Sequence, residues 1–428
     1  MPDPSVLNTL ARCFLAGEPS IEQIILRSNQ ALGRSYLWVR PLARRYVQGT
    51  AGQIRPRHRD VVDFILSDPA WNEAITEETR QVSVEHWPVE PQRMQPVAAA
   101  RTWNVPAIES VGALADWLWL DYGELDWFAD LKCLGYKNRD SKLRHYCYRL
   151  FPKRSGGVRL VESPKRRLKK LQREILAGIL DQVPYHPAAH GFIRGRSIKT
   201  FAAPHVGQDV VLRMDLQNFF VSIGRARIQT IFRMMGYPES VADLLGGLCT
   251  NTTPHDVWRD PLYSRPHLPQ GAPTSPALAN MCAFRVDCRL SGLAKSAGAE
   301  YTRYADDLAF SGGPAFARSA EDFALHAAAI LLEEGFQVNH RKTRIMRQGV
   351  RQYLAGIVAN QKINLVRNDF DRLKAILTNC VRHGPQSQNR EAHPEFRSHL
   401  EGRISFVEMI NPAKAKRLRG IFEQIRWE

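Results

Sequence analysis

The sequence predicts an α/β (α+β) chain, an antiparallel sheet bearing carboxylates with helical segments before and after it. Two stretches carry the sheet. Asp209-Val210-Val211-Leu212-Arg213-Met214-Asp215 is a β-branched, apolar run ending on a lone carboxylate, followed closely by Phe219-Phe220. In Tyr301-Thr302-Arg303-Tyr304-Ala305-Asp306-Asp307-Leu308-Ala309-Phe310, apolar and aromatic residues flank two adjacent acids, the pattern of strand, tight turn and strand. The third observation is helical spacing of apolar residues near the start of the chain, at Ile21, Ile24 and Ile25 and again at Val61, Val62, Phe64 and Ile65.

Residues 1–85 are thus a helical N-terminal extension. Their charge is polarised, +6 over 31–60 and −6 over 61–90. Arg40, Arg44, Arg45, Arg55, Arg57 and Arg59 are open to RNA contact, a solvated helical face or internal ion pairing. Residues 86–106 are rich in Pro and Ala and read as a linker. Ser110 caps a helix with Leu114, Trp117 and Leu118, and a second apolar cluster follows at Leu125, Trp127, Phe128 and Leu131, whose tryptophans are expected in the core.

From His145 the pattern becomes strand, turn, strand, with Lys153-Arg154-Ser155-Gly156-Gly157 as a basic turn and Arg159 opening the second strand. Such a hairpin suits a triphosphate. A basic helix follows Pro164-Lys165. In the loop His190-Gly191-Phe192-Ile193-Arg194-Gly195-Arg196-Ser197, the amides and guanidiniums of Arg194 and Arg196 suit a nucleic-acid backbone. Strand alternation after Asp215 turns Phe219 and Phe220 to opposite sides, one packing inward. In Leu268-Pro269-Gln270-Gly271-Ala272-Pro273-Thr274-Ser275-Pro276, Ser275 is the expected N-cap of a helix reaching Val286. A helix over 319–335 ends at Gly335, and residues 361–428 are helical with Lys414, Lys416, Arg417 and Arg419 clustered.

Composition narrows the partners. At 428 residues the chain holds two to four compact units, and its net charge of +16 with a pI near 9.7 favours a polyanion. Residues 151–200 hold twelve Lys/Arg against three Asp/Glu, a concentrated net +9 suited to phosphates. Seven cysteines without a Cys-x-x-Cys pair read as reduced thiols, neither a disulfide frame nor a zinc site. The start of the chain has no basic-then-apolar leader, and no stretch has the length of a membrane span. A cytoplasmic protein with no membrane partner is the expectation.

An isolated Ala-Asp-Asp is best read as an Asp-rich turn. A second acid strand changes that reading. Two divalent metals about 3.5–4 Å apart can activate a 3′-hydroxyl and stabilise departing pyrophosphate. Magnesium takes oxygen ligands and leaves positions for substrate, so a few convergent acids suffice. Asp215 with Asp306 and Asp307 is such a set if the fold brings them together, giving two Mg²⁺ ions.

The two acid segments resemble motifs A and C of reverse transcriptases, and Leu268-Pro269-Gln270-Gly271 resembles their Pro-Gln-Gly motif. Phe336-Gln337-Val338-Asn339-His340-Arg341-Lys342 is similar to motif D, and residues 352–359 to the primer-grip hairpin. Taken in order, residues 107–428 resemble a bacterial reverse transcriptase of the retron type. The resemblance implies a right-hand polymerase with fingers over 107–205, palm over 206–360 and thumb over 361–428.

It also implies roles. Asp215, Asp306 and Asp307 would be catalytic metal ligands, Asp307 the less direct, and Lys342 the acid that protonates pyrophosphate. Phe220 would exclude the ribonucleotide 2′-hydroxyl, and Gln270 and Arg159 would position the nucleotide. Arg194, Arg196, His205, Lys414 and Arg417 would contact RNA. The partners implied are deoxynucleoside triphosphates, a structured non-coding RNA and its short DNA product, with room for an effector protein in anti-phage defence. Two stretches depart from the retron pattern: Phe201-Ala202-Ala203-Pro204-His205 has Phe where Asn is usual, and Leu354-Ala355-Gly356 stands in place of Val-Thr-Gly. The competing readings are a defence-linked reverse transcriptase outside the retron type and an RNA-binding scaffold with a dispensable polymerase site. Three intact acids argue against the scaffold, since buried carboxylates are costly to keep unused.

Overall fold

A computed structural model describes residues 4–77, 82–137, 140–152 and 156–427. Its contacts divide the chain into two units, Met1–Pro184 with Phe220–Cys282, and Tyr185–Phe219 with Ala283–Glu428. Among the described residues no helix is long and apolar enough to cross a membrane, and the seven cysteines are free thiols.

The first unit opens with the helices Pro4–Leu15, Ile21–Ala31, Val39–Thr50, His58–Ser67 and Pro69–Glu77. They share an apolar core that includes Leu10, Phe14, Ile24, Leu42, Ile65 and Trp71. Internal pairing accounts for part of the charge polarisation. Arg45 bonds Asp68 at 2.5 Å, Arg57 lies 3.9 Å from Glu239 and Arg59 3.9 Å from Asp63. Arg55 is buried and donates to the carbonyls of Leu15 and Arg93. Arg40 and Arg44 are exposed.

Residues 86–106 are not a free tether. Gly17 N bonds Pro91 O at 3.0 Å, Gln95 N bonds Gly236 O at 2.9 Å and Val97 N bonds Met234 O at 3.1 Å. A Cβ on Gly236 would stand 2.5 Å from Pro96 N, so the strap lies directly on that turn. Proline removed donors from this stretch, but the remaining amides still needed acceptors, and the fold supplies them. Trp127 is also not core: it is 47% exposed, while Leu114, Leu118 and Leu125 are buried.

Strands β1 (Tyr146–Pro152) and β2 (Val158–Pro164) form the expected hairpin, with Leu150 opposite Leu160. Its basic turn at Lys153, Arg154 and Ser155 lies outside the described residues. Ser275 does not cap its helix. It is the first residue of the helix Ser275–Cys282, and its hydroxyl donates to Pro269 O at 2.7 Å, tying the helix back to the Pro-Gln-Gly loop. That helix stops at Cys282, and Val286 belongs to a separate helix, Phe284–Ser296.

The second unit holds an antiparallel sheet of β3 (Val210–Gln217), β4 (Glu300–Tyr304), β5 (Asp307–Gly312), β6 (Gln337–Val338) and β7 (Arg344–Arg347). The order is β4–β5–β3–β6, with β7 also on β3. β3 is central, and nearly all of its residues are buried. The helix Pro314–Glu333 packs on the sheet through Phe316 and Phe323, the latter edge-on to Phe310 at 5.0 Å. β8 (Tyr353–Leu354) and β9 (Ile357–Val358) form the hairpin expected over 352–359, and Ala355 and Gly356 both take positive φ, as a two-residue hairpin turn requires. The helices Arg367–His383, Phe396–Ile410 and Pro412–Phe422 share a core with Phe201, Val211, Ala309 and Leu354.

Candidate active site

Three aspartates meet at one end of the second unit's sheet. β3 pairs β5 in a register that sets Asp215 opposite Asp307. The β4–β5 hairpin closes from Tyr304 to Asp307, so Ala305 and Asp306 form its two-residue turn. Ala305 takes the left-handed region at φ 55°, a conformation that costs an L-residue about 1 kcal/mol and persists where its surroundings fix it. Asp306 O accepts from Leu216 N at 2.9 Å, joining the turn to β3. On the other side, a Cβ on Gly191 would stand 2.5 Å from Ala305 N, so only glycine lets the 188–191 segment approach the turn this closely.

Under the turn lies a buried ion pair that the sequence did not reveal. Arg303 and Asp287 are both fully buried, bonded at 2.8 Å through Nε and 2.7 Å through Nη2. Tyr301 OH donates to the same carboxylate at 2.8 Å, and Arg303 Nη1 donates to Ala305 O at 3.1 Å.

The acids carry protein cations. Lys342 Nζ donates to both oxygens of Asp215, at 3.0 and 2.9 Å. Arg213 sits two residues before Asp215, on the same face of β3 by strand alternation. From there it reaches diagonally to Asp307 Oδ1, at 2.6 Å from Nη2 and 3.0 Å from Nε. Asp306 has no comparable cation in contact among the described residues. Burial, then Asp307 and Asp215, push its carboxyl up to about 6. Burial also raises the Asp307 carboxyl, against the opposing pull of Arg213.

Among the described residues no three His, Cys, Asp or Glu side chains form a ready metal cage. The donor set nonetheless fits a divalent cation. All three groups are hard oxygen donors, Lys342 already places positive charge on Asp215, and the raised Asp306 carboxyl marks a deficit of counter-charge.

The remaining expected residues are dispersed. Phe219 is buried against Phe336 at 5.6 Å, while Phe220 is half-buried in the first unit. Phe219 is thus the one that packs inward, and strand alternation does not govern the pair: β3 ends at Gln217, and Asn218 takes a left-handed φ of 50° before the aromatics. Arg159 and Gln270 also lie in the first unit, Arg159 exposed on β2 and Gln270 in its loop. There Glu162 N bonds Gln270 O at 2.9 Å, and a Cβ on Gly271 would stand 2.9 Å from Glu162 O. The buried Glu162 carboxylate accepts from Thr253 at 2.6 Å, Asn251 at 2.8 Å and His267 at 3.0 Å. Burial alone would raise this carboxyl, but His267 and the two other donors hold it below its ordinary range.

Among the expected RNA contacts, Arg194 and Arg417 are exposed. Lys414 lies over the Phe370 ring at 4.7 Å, and Arg196 donates to the carbonyls of Pro187 and Ala189. His205 is corrected outright. It is fully buried, with Nδ1 on Ser311 Oγ at 2.6 Å and Nε2 on Thr302 Oγ1 at 2.7 Å. Thr302 gives its own proton to Phe201 O, so the imidazole donates from Nε2 and accepts at Nδ1. Both nitrogens are spent inside the sheet, and none remains for RNA.

Burial, then His190, push His205 down to about 3. Its ordinary value is 6.5, so protons bind the unfolded chain first, and the stabilisation present above 6.5 is lost as pH falls towards 3. Urea unfolding between pH 7 and 5 should show stability falling with a slope approaching about 1.4 kcal/mol per pH unit from this group alone. His205→Gln should flatten that slope; an unchanged slope would remove His205 as the source.

A family model described as reverse transcriptase (RNA-dependent DNA polymerase) matches residues 151–364. The chain belongs to the reverse transcriptase family. Within it, this chain is of the bacterial retron type, as its relatives indicate. It is 46% identical to the retron Mx65 reverse transcriptase of Myxococcus xanthus over 65% of this chain and 64% of that protein, so slightly less than two thirds of that relative is matched. The retron Mx162 reverse transcriptase of the same organism is 37% identical over 74% of this chain and 67% of its own. The retron Ec86 reverse transcriptase of Escherichia coli is 31% identical over 63% and 79%.

Proposed function

We propose that the chain is an RNA-directed DNA polymerase that copies part of a structured non-coding RNA into a short DNA, using deoxynucleoside triphosphates and two Mg²⁺ ions. The observation that carries this reading is the register setting Asp215 opposite Asp307 with Asp306 in the adjoining turn. When bound, the divalent ions would supply charge stabilisation for the attacking and leaving oxygens. Asp215 and Asp306 would hold them, and Asp307, already engaged by Arg213, would stand back as the less direct ligand. Lys342, paired with Asp215 here, would serve as the cation that neutralises and protonates pyrophosphate once Asp215 is engaged as a ligand. Phe220 excludes the 2′-hydroxyl, and Arg159 and Gln270 position the nucleotide, in line with the motifs they occupy. Arg194, Lys414 and Arg417 remain as RNA contacts.

The test is purification from cells carrying the native locus, followed by RNase and DNase treatment of the co-purifying nucleic acid. A discrete RNA joined to a short DNA is expected. RNA without DNA, from protein that also fails to extend an annealed primer, would overturn the polymerase reading.

A further inference from the structure

The helices Arg367–His383 and Phe396–Ile410 line two adjacent cavities, of about 290 and 450 Å³, which share His399 and Arg403 in their walls; the loop between the helices completes the smaller and Gly356 and Leu365 the larger. One wall of the smaller is a stack of rings. The His393 and His399 rings are stacked at 4.3 Å and 15°, and Phe396 continues nearly parallel to His399 at 6.3 Å and 13°. The loop holds this wall in place: His393 N donates to Asn389 Oδ1 at 2.8 Å, and Asn389 Nδ2 returns a bond to His393 O at 3.0 Å.

The same cavity also carries polar groups suited to an anion. Arg372 and Arg403 both line the cavity, together with Asn379. The Arg403 guanidinium is depressed by burial and then by Arg372, with Asp369 and Glu391 offsetting only part of this. Glu391 also lies 3.2 Å from His393 Nε2, so its charge is partly engaged. Two cations that disfavour one another would be relieved by a phosphate between them.

A stack of rings that a base can extend, an amide and two guanidiniums are recognition elements for a base and its phosphate. The volume, near the lower end for ligand sites, admits about one nucleotide. A duplex keeps its bases stacked inside and has none to insert. We propose that this cavity takes one unpaired nucleotide of an RNA strand, its base extending the stack of His393, His399 and Phe396 and its phosphate between Arg372 and Arg403. The proposal rests on the reading that the chain handles RNA, but it is independent of the three aspartates.

The experiment uses the full chain, a single-stranded RNA hexamer carrying 4-thiouridine, and a blunt RNA duplex of equal charge. Irradiation should crosslink the hexamer to the peptide spanning 393–399. Arg372→Gln/Arg403→Gln should weaken hexamer binding about 10-fold, the scale of one lost base or phosphate contact. Duplex binding should stay within about twofold, as should extension of a preannealed primer. His399→Ala serves as a second variant, with thermal melting to show that each remains folded. Equal loss on hexamer and duplex would reduce the cavity to general electrostatics and overturn the proposal, as would absence of both the crosslink and the binding loss. Free uridine monophosphate binding as tightly as the hexamer would overturn the assignment to a strand. Failure of the wild-type protein to extend any primer is a separate result, bearing on the polymerase reading.

Discussion

Asp306→Asn is expected to lower single-turnover primer extension by at least about 10³-fold, the scale of several kcal/mol of lost transition-state stabilisation. RNA affinity should remain within about threefold, because the substitution removes a carboxylate and leaves the basic surfaces alone. Stability separates this result from simple damage. Asparagine keeps the shape of the side chain and removes one of three mutually repelling acids, the one whose carboxyl burial and its neighbours raise to about 6. The thermal midpoint at pH 7 should therefore be unchanged or higher. A well-folded variant that extends primers at more than about a tenth of the wild-type rate would sink the assignment of Asp306 as a metal ligand. Asp307→Asn is a useful comparison: it removes the charge from the Arg213 contact and should cost rate.

The acids were legible because their motifs are local: a strand ending on Asp215 and a hairpin turn at Asp306 are written in a dozen residues each. Their convergence was not, because it depends on the β3–β5 register, and no spacing within either segment encodes which residue faces which. Arg213 illustrates the limit. Its place on the face of Asp215 follows from alternation, yet its reach to Asp307 follows only from the pairing. His205 failed for the related reason that a histidine in a helical turn gives no sign of the strands beneath it, and the hydroxyls that bury it come from β4 and β5. Phe219 packs inward, as one of the pair was expected to, but both lie past the end of β3, where strand alternation no longer decides the side. For residues 86–106, low charge and prolines suggested a tether, whereas low charge equally suits a strap whose amides find carbonyls. Composition could not separate the two.

Arg303→Met should destabilise the protein by about 3–5 kcal/mol, because it strands the Asp287 carboxylate in a fully buried site. Tyr301 would remain as a donor to that carboxylate, too little to replace a bidentate guanidinium. The same change removes the bond from Arg303 to Ala305 O, one residue before Asp306. Stability and positioning can be separated with a second substitution. Arg303→Met/Asp287→Leu removes both buried charges, and such replacements commonly recover the stability lost with one partner. The double variant is therefore expected to melt close to the wild-type protein, while its extension rate stays at least about 10-fold down because the Ala305 carbonyl loses its donor and the turn, still tied at Asp306 O, is less closely held. Denaturant midpoints and single-turnover rates measured on the same preparations decide the matter. Recovery of both would make the ion pair a matter of folding alone; recovery of stability without rate would identify Arg303 as the residue that aims the catalytic turn.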